Sequence, residues 1–171
     1  MKRFALAALV LMLALPTGVA LARSTSHRTE RHGTSRRAYE SGQPVLDWNQ
    51  ALLSIVNTPG AQPARIQPTW SFAIMHAAIY DAVNSIDRSH RAYMINVPAL
   101  RDASETAAAD AAAHTVLDAV YPSQQSTVDA DYATELATVP DGPAKVTGVR
   151  VGAEVARGLL AIRADDGSTV P

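Results

Sequence analysis

The chain contains no cysteine among its 171 residues. This absence excludes disulfide bonds, a thiolate nucleophile, an iron–sulfur cluster and a zinc site built on thiolates. Aromatic residues are scarce, at 5% of the sequence, and lysine occurs only as Lys2 and Lys145. The Gly-x-Ser-x-Gly, P-loop and dinucleotide-binding motifs are also missing. Any chemistry must therefore come from oxygen and nitrogen side chains outside these motif-defined classes.

Charge is distributed unevenly along the chain, although the net charge is only −1. Residues 1–39 hold seven basic residues and one acidic residue, a net charge of +6, whereas residues 40–171 hold eight basic and fifteen acidic residues, a net charge of −7. An acidic folded part argues against nucleic-acid binding. The fractions of hydrophobic residues (47%) and charged residues (18%) are typical of one globular domain and exclude collagen-like or wholly disordered chains.

The N-terminus has the pattern of an export signal. Lys2 and Arg3 precede an unbroken apolar run over residues 4–15, and residues 20–22 read Ala-Leu-Ala, the small-residue pattern of a cleavage site. The alternative is a membrane anchor, but twelve apolar residues span only about 18 Å of helix, less than the hydrocarbon core of about 30 Å. We therefore predict a signal peptide at residues 1–22, a secreted product, and no transmembrane span after cleavage.

Residues 23–43 consist mainly of serine, threonine, arginine, histidine and glycine, with hardly an apolar residue. Such a segment cannot bury enough apolar surface to offset its ordering entropy. The arginines could contact an anionic surface, but a charge run of this kind is more often a solvated linker. We predict a disordered basic linker.

Residues 44–171 are predicted to form an all-α bundle of about five helices. In the second helix, apolar residues recur at spacings of three and four, as they do on one face of a helix; they are Phe72, Met75, Ile79, Val83 and Ile86. Since its other side is nearly uncharged, this helix is expected at the centre of the bundle. Asp47 and Ser104 are predicted N-caps, and Pro122 prevents continuation of the third helix. The predicted helices cover residues 47–57, 69–86, 104–121, 123–138 and 144–164.

The most notable polar cluster lies on the second predicted helix and comprises His76, Tyr80, Asp81 and Asn84. One interpretation is a metal or acid–base site, since imidazole and carboxylate can bind a divalent ion or transfer a proton. The other is a buried hydrogen-bonding network that ties this helix to its neighbours. His76 and Asp81 lie about 140° apart around a helix, so they do not form a chelating pair. We favour the structural network.

A weaker signal lies on the third predicted helix, where Asp110, His114 and Asp118 are each one turn apart. Three such groups could hold a metal, but this spacing more often marks an exposed helix face with weak ion pairing. Asp165 and Asp166 resemble part of a calcium loop without its remaining ligands. The sequence therefore predicts no catalytic, cofactor-binding or metal-binding residue.

A family resemblance rests on three stretches of the sequence: residues 45–50, Val-Leu-Asp-Trp-Asn-Gln; residues 54–57, Ser-Ile-Val-Asn; and residues 71–84, Ser-Phe-Ala-Ile-Met-His-Ala-Ala-Ile-Tyr-Asp-Ala-Val-Asn. Together they resemble the N-terminal helical region of secreted bacterial vanadium-dependent haloperoxidases, which share a superfamily with the type 2 phosphatidic acid phosphatases. The resemblance runs from about Pro44 to Arg163 and is most specific between Trp48 and Asn84. Gln67 and Trp70 depart from it, since relatives tend to carry basic or imidazole side chains there.

The resemblance implies an all-helical protein in which a second helical bundle holds vanadate, or phosphate in the phosphatases, among basic and hydroxyl side chains. In the family these groups come from the motifs Lys-x6-Arg-Pro, Pro-Ser-Gly-His and Ser-Arg-x5-His, and none of them occurs here. Lys145 has Gly152 in place of the arginine, Gln124 follows Pro-Ser, and Gly42 stands where the last histidine belongs. No catalytic residue can therefore be carried over.

The resemblance therefore implies a scaffold, which is one half of a larger two-bundle fold. Vanadate is expected only in the full-length family and not in this chain alone. The expected partner is a catalytic bundle that would follow Pro171, or failing that a second copy of the chain, because an apolar stripe without a partner promotes association. Two alternatives stay open: a fragment of a related acid phosphatase, and a stand-alone secreted binding module that uses the His76 cluster or the loop of residues 58–68.

Overall fold

The computed structural model describes residues 42–167, which form five α-helices and one 3₁₀ turn. In chain order these are α1 (Gln43–Val56), α2 (Pro68–Asp87), α3 (Glu105–Val120), the 3₁₀ turn (Pro122–Gln124), α4 (Gln125–Ala137) and α5 (Pro143–Arg163). This part of the chain contains no strand, so the predicted all-α fold is confirmed. None of its helices is both long enough and apolar enough to cross a bilayer. The predicted signal peptide, and the predicted linker up to residue 41, lie outside the described residues.

The helix starts follow local chemistry, and one of them corrects the sequence prediction. Ser104 caps α3 as predicted, since its hydroxyl accepts a hydrogen bond from the backbone N–H of Ala107 at 3.1 Å. The predicted cap at Asp47 is wrong, because α1 already begins at Gln43, one turn earlier. Pro44 lies in this first turn, where its missing N–H would have no helical partner and its fixed φ suits the helix. Asp47 instead accepts a hydrogen bond from Gln43 Nε2 at 2.8 Å.

Helix α3 is the central element, since it packs against all four other helices of the described part. Ten of its sixteen residues are buried, and most of these are alanines. Because alanine projects only a methyl group, neighbouring helices can approach α3 closely. The prediction that α2 lies at the centre is therefore wrong. Helix α2 packs against α1, α3 and α5 but keeps one face at the surface.

Helices α3 and α5 approach each other closely at two glycines. A Cβ atom at Gly148 would overlap the carbonyl oxygen of Ser104, and one at Gly152 would overlap the carbonyl of Ala108. The two glycines are four residues apart, so they lie on the same face of α5, on successive turns. The α3–α5 contact thus depends on the absence of a side chain at both positions.

Candidate functional site

The polar cluster predicted on α2 lies where this helix meets the loop of residues 88–104. Asp81 is completely buried, and its carboxylate accepts hydrogen bonds from the backbone N–H groups of Tyr93, Met94 and Ile95 at 2.6, 2.9 and 2.8 Å. Three donors are thus directed at its two oxygens. Asp81 therefore holds the loop backbone in place.

Asn84 and Ser85 fasten the same loop at two further points. Asn84 Nδ2 donates to the carbonyl oxygen of His90 at 2.6 Å, and its Oδ1 accepts from the N–H of His90 at 2.9 Å. The hydroxyl of Ser85 accepts from the N–H of Val97 at 3.0 Å. Sequence reasoning missed Ser85, because a serine inside a helix carries no signal of its distant partner.

The other two cluster members have separate partners. Tyr80 donates its hydroxyl to the carbonyl oxygen of Arg91 at 2.8 Å. His76 turns toward α1, where its Nε2 lies 3.2 Å from Asn49 Oδ1, and its ring stacks on Phe72. Burial lowers the pKa of His76 below its usual value, which favours the neutral imidazole. The four side chains therefore do not converge on a single point where an ion could bind.

The second predicted group, on α3, is divided between two neighbours. Asp110 is fully buried and accepts a hydrogen bond from Trp48 Nε1 on α1 at 3.0 Å. His114 faces α4, where its Nε2 lies 2.7 Å from Asp129 Oδ1 and its ring stacks on Tyr132 with centroids 4.2 Å apart. Burial, together with the charge of Asp110, raises the pKa of Tyr132. Nowhere in residues 42–167 do three histidine or acidic side chains come together as metal ligands do.

An open cleft of about 610 Å³ lies between α2, the 88–104 loop and the end of α5, and we call it the α2–α5 cleft. Its apolar floor includes Ala73, Ile74, Ala77 and Leu159, and its walls carry Trp70, His76, Tyr80, Arg91, Ala92, Tyr93 and Arg163.

This cleft was not predictable from the sequence. His76 and Tyr80 belong to the polar cluster predicted on α2, but the cleft also takes residues from the 88–104 loop and from the end of α5, and no local pattern relates these three segments. Trp70, noted above only as a departure from the family, lines the cleft and donates its indole N–H to Asp166 at 2.9 Å.

A smaller groove of about 350 Å³ runs along the other side of the ridge that His76 and Tyr80 form on α2. Most of its exposed surface is apolar and includes Val45, Ile79 and Val83, although Asn84, Asp87, Ser89 and His90 also line it. Further apolar side chains are exposed on α1, where Leu46 is 63% and Leu53 is 37% exposed. We call this groove, together with Leu46 and Leu53, the α1–α2 face.

The described residues do not fit a vanadate site of the family type. Lys145 is the lysine of this part of the chain, and its ammonium group donates to Val139 O at 3.1 Å and to Asp141 Oδ1 at 2.9 Å. The arginines of the α2–α5 cleft therefore have no lysine beside them. The histidine of this cleft, His76, is already hydrogen-bonded to Asn49.

No protein-family model, curated protein or solved structure matches the chain. The haloperoxidase resemblance therefore rests on the residues of α1 and α2 quoted above.

Proposed function

We propose that the described helical domain is the non-catalytic scaffold of a vanadium-dependent haloperoxidase-like protein, and that it packs through its α1–α2 face against a helical bundle that holds the oxyanion. The resemblance is most specific between Trp48 and Asn84, and these residues span most of α1, the following loop and most of α2. The proposed contact surface is thus built from the same two helices that carry the resemblance.

The exposed apolar surface of α1 is the observation that carries the proposal. Val45, Leu46 and Leu53 are 37%, 63% and 37% exposed. Val45 and Leu53 are eight residues apart and lie on the same side of α1 as Asn49, the residue that contacts α2. A solvated helix face carries charged side chains, whereas an apolar patch beside an apolar groove is typical of a protein interface. A helical bundle supplies the complementary apolar ridge.

The buried polar contacts of α1 and α2 keep this face in one arrangement. Trp48 anchors α1 to Asp110 of α3, and Asn49 contacts His76 of α2. Both contacts lie in the interior or at its border, where a hydrogen bond specifies position strongly. A preorganised surface loses less entropy when it docks. The role is the same whether the complete protein is a peroxidase or a related phosphatase, because both chemistries use an oxyanion pocket in the other bundle.

The first test is the DNA that follows the codon for Pro171. The proposal predicts a reading frame, in phase or frameshifted, that encodes the Lys-x6-Arg-Pro, Pro-Ser-Gly-His and Ser-Arg-x5-His motifs. A stop codon followed by an unrelated gene would contradict it and favour a stand-alone binding module.

The second test examines the α1–α2 face directly by co-expressing the chain with the product of that reading frame. We expect the two to co-purify, and Leu53→Glu to reduce the recovered partner at least about tenfold, because a buried carboxylate without a partner costs more than 1.4 kcal/mol. Ser54→Glu is the matched control, since Ser54 is its exposed neighbour on α1 and lies outside the defined face. Equal recovery with both variants would exclude this face as the contact.

A further inference from the structure

The α2–α5 cleft has the size and lining of a small-molecule site. Its volume of about 610 Å³ lies within the range of about 300–1,000 Å³ that is typical of ligand pockets. The floor is apolar, while the indole of Trp70 and the phenol rings of Tyr80 and Tyr93 stand around it. Aromatic walls over an apolar floor favour a flat, ring-containing ligand, because stacked and edge-to-face contacts add to the burial of apolar area.

The charge of the cleft is positive, in contrast to the acidic domain around it. Arg91 and Arg163 line the cleft. Arg91 uses its backbone carbonyl to accept from Tyr80, and its guanidinium has no hydrogen bond or ion pair with any residue from 42 to 167. Arg163 forms an ion pair with Asp166, whose Oδ2 lies 3.8 Å from its guanidinium, so its charge is largely offset. Since burial favours neutral His76, the guanidinium of Arg91 is the main source of cationic character.

We propose that the α2–α5 cleft binds a small aromatic carboxylate. The aromatic ring of this ligand lies over the apolar floor, and its carboxylate binds the guanidinium of Arg91. A planar guanidinium matches a carboxylate through two parallel N–H···O bonds. Residues 40–171 carry a net charge of −7, so a polyanion is repelled by the rest of the domain, whereas a monoanion needs only the local positive charge. This site does not depend on the scaffold role proposed above, because it lies on the other side of the His76–Tyr80 ridge.

The two tryptophans make binding measurable without a label. Trp48 is 1% exposed and hydrogen-bonded in the core, whereas Trp70 lines the cleft. An aromatic ligand in the cleft therefore changes the fluorescence of Trp70 and leaves that of Trp48 unchanged. The variant Trp70→Phe is expected to remove the signal, and isothermal titration calorimetry gives the affinity independently.

The test compares 2-naphthoate with its neutral analogue 2-naphthamide on the full chain. We expect saturable binding of the carboxylate, at least about tenfold tighter than that of the amide, because a hydrogen bond to a charged group contributes about 1.5–3 kcal/mol. Arg91→Gln is expected to weaken the binding of 2-naphthoate by about the same factor and to leave the affinity for 2-naphthamide unchanged. Arg157→Gln is the matched control, since Arg157 is an exposed arginine of α5 that does not line the cleft.

Three results would overturn the proposal: no saturable binding of 2-naphthoate, equal affinity for carboxylate and amide, or an equal effect of the two arginine variants. Circular dichroism of each variant establishes that it is folded. Leu53→Glu on the α1–α2 face is expected to leave 2-naphthoate binding unchanged. A failure of the scaffold proposal can therefore be distinguished from a failure of this one.

Discussion

At the scale of single residues, the clearest consequence concerns Asp81, whose buried carboxylate accepts three backbone hydrogen bonds from the 88–104 loop. Replacing it with alanine leaves these three N–H groups without their acceptor. We expect Asp81→Ala to lower the free energy of unfolding by about 3 kcal/mol, measured by urea denaturation. Asp165→Asn, at an exposed site, is the control and should change it by less than about 0.5 kcal/mol. Equal stability of the two variants would show that Asp81 does not hold the loop.

A second residue-scale prediction follows from the lowered pKa of His76. Between that lowered value and the ordinary value of 6.5, the unfolded chain binds more protons at this site than the folded chain. The contribution of His76 to stability is thus complete above the ordinary pKa, and it decreases as the pH falls toward the lowered one. His76→Gln, which keeps a polar group near Asn49, is expected to flatten the pH dependence of the urea midpoint between pH 7.5 and 5. An unchanged slope would contradict this.

At the scale of helices, we expect different outcomes for two glycine substitutions in α5, because only one of the two glycines lies at the close contact with α3. A Cβ at Gly152 would overlap the backbone of Ala108, so Gly152→Ala is expected to destabilise the protein by about 1–3 kcal/mol through overpacking. At Gly158 a Cβ would lie 3.2 Å from Ile95 Cδ1, the end of a flexible side chain. Gly158→Ala is therefore expected to be neutral, or stabilising by up to about 1 kcal/mol through helix propensity. Thermal melts compare the two, and equal melting temperatures would argue against the close approach.

The helices themselves were predictable because the signals that define them are local. Apolar residues at helical spacing predicted α2, and Ser104 and Pro122 mark the two ends of α3. The start of α1 was predicted wrongly at Asp47, because proline in a first turn competes with an acidic cap. The central position of α3 could not be predicted from hydrophobicity, since alanine contributes through its small size, which matters only once a neighbour packs against it.

At the scale of the whole molecule, surfaces were less predictable than helices. The polar cluster on α2 was visible in the sequence, but its partners in the 88–104 loop were not, because they are backbone groups that carry no residue-specific signal. The α2–α5 cleft combines Trp70 from the start of α2 with Arg163 from the end of α5. Only the packing of α5 against α2 brings these two residues together.

The scaffold proposal assigns the oxyanion chemistry to the partner bundle and none of it to this helical domain. The most direct measurement is vanadate-dependent bromoperoxidase activity of the purified chain, with and without orthovanadate, alongside a phosphatase assay. We expect no turnover in either assay, with Lys145→Ala indistinguishable from the parent chain, since the Lys145 ammonium is hydrogen-bonded to Val139 O and Asp141 Oδ1. Vanadate-dependent oxidation of bromide by the chain alone would contradict the scaffold proposal.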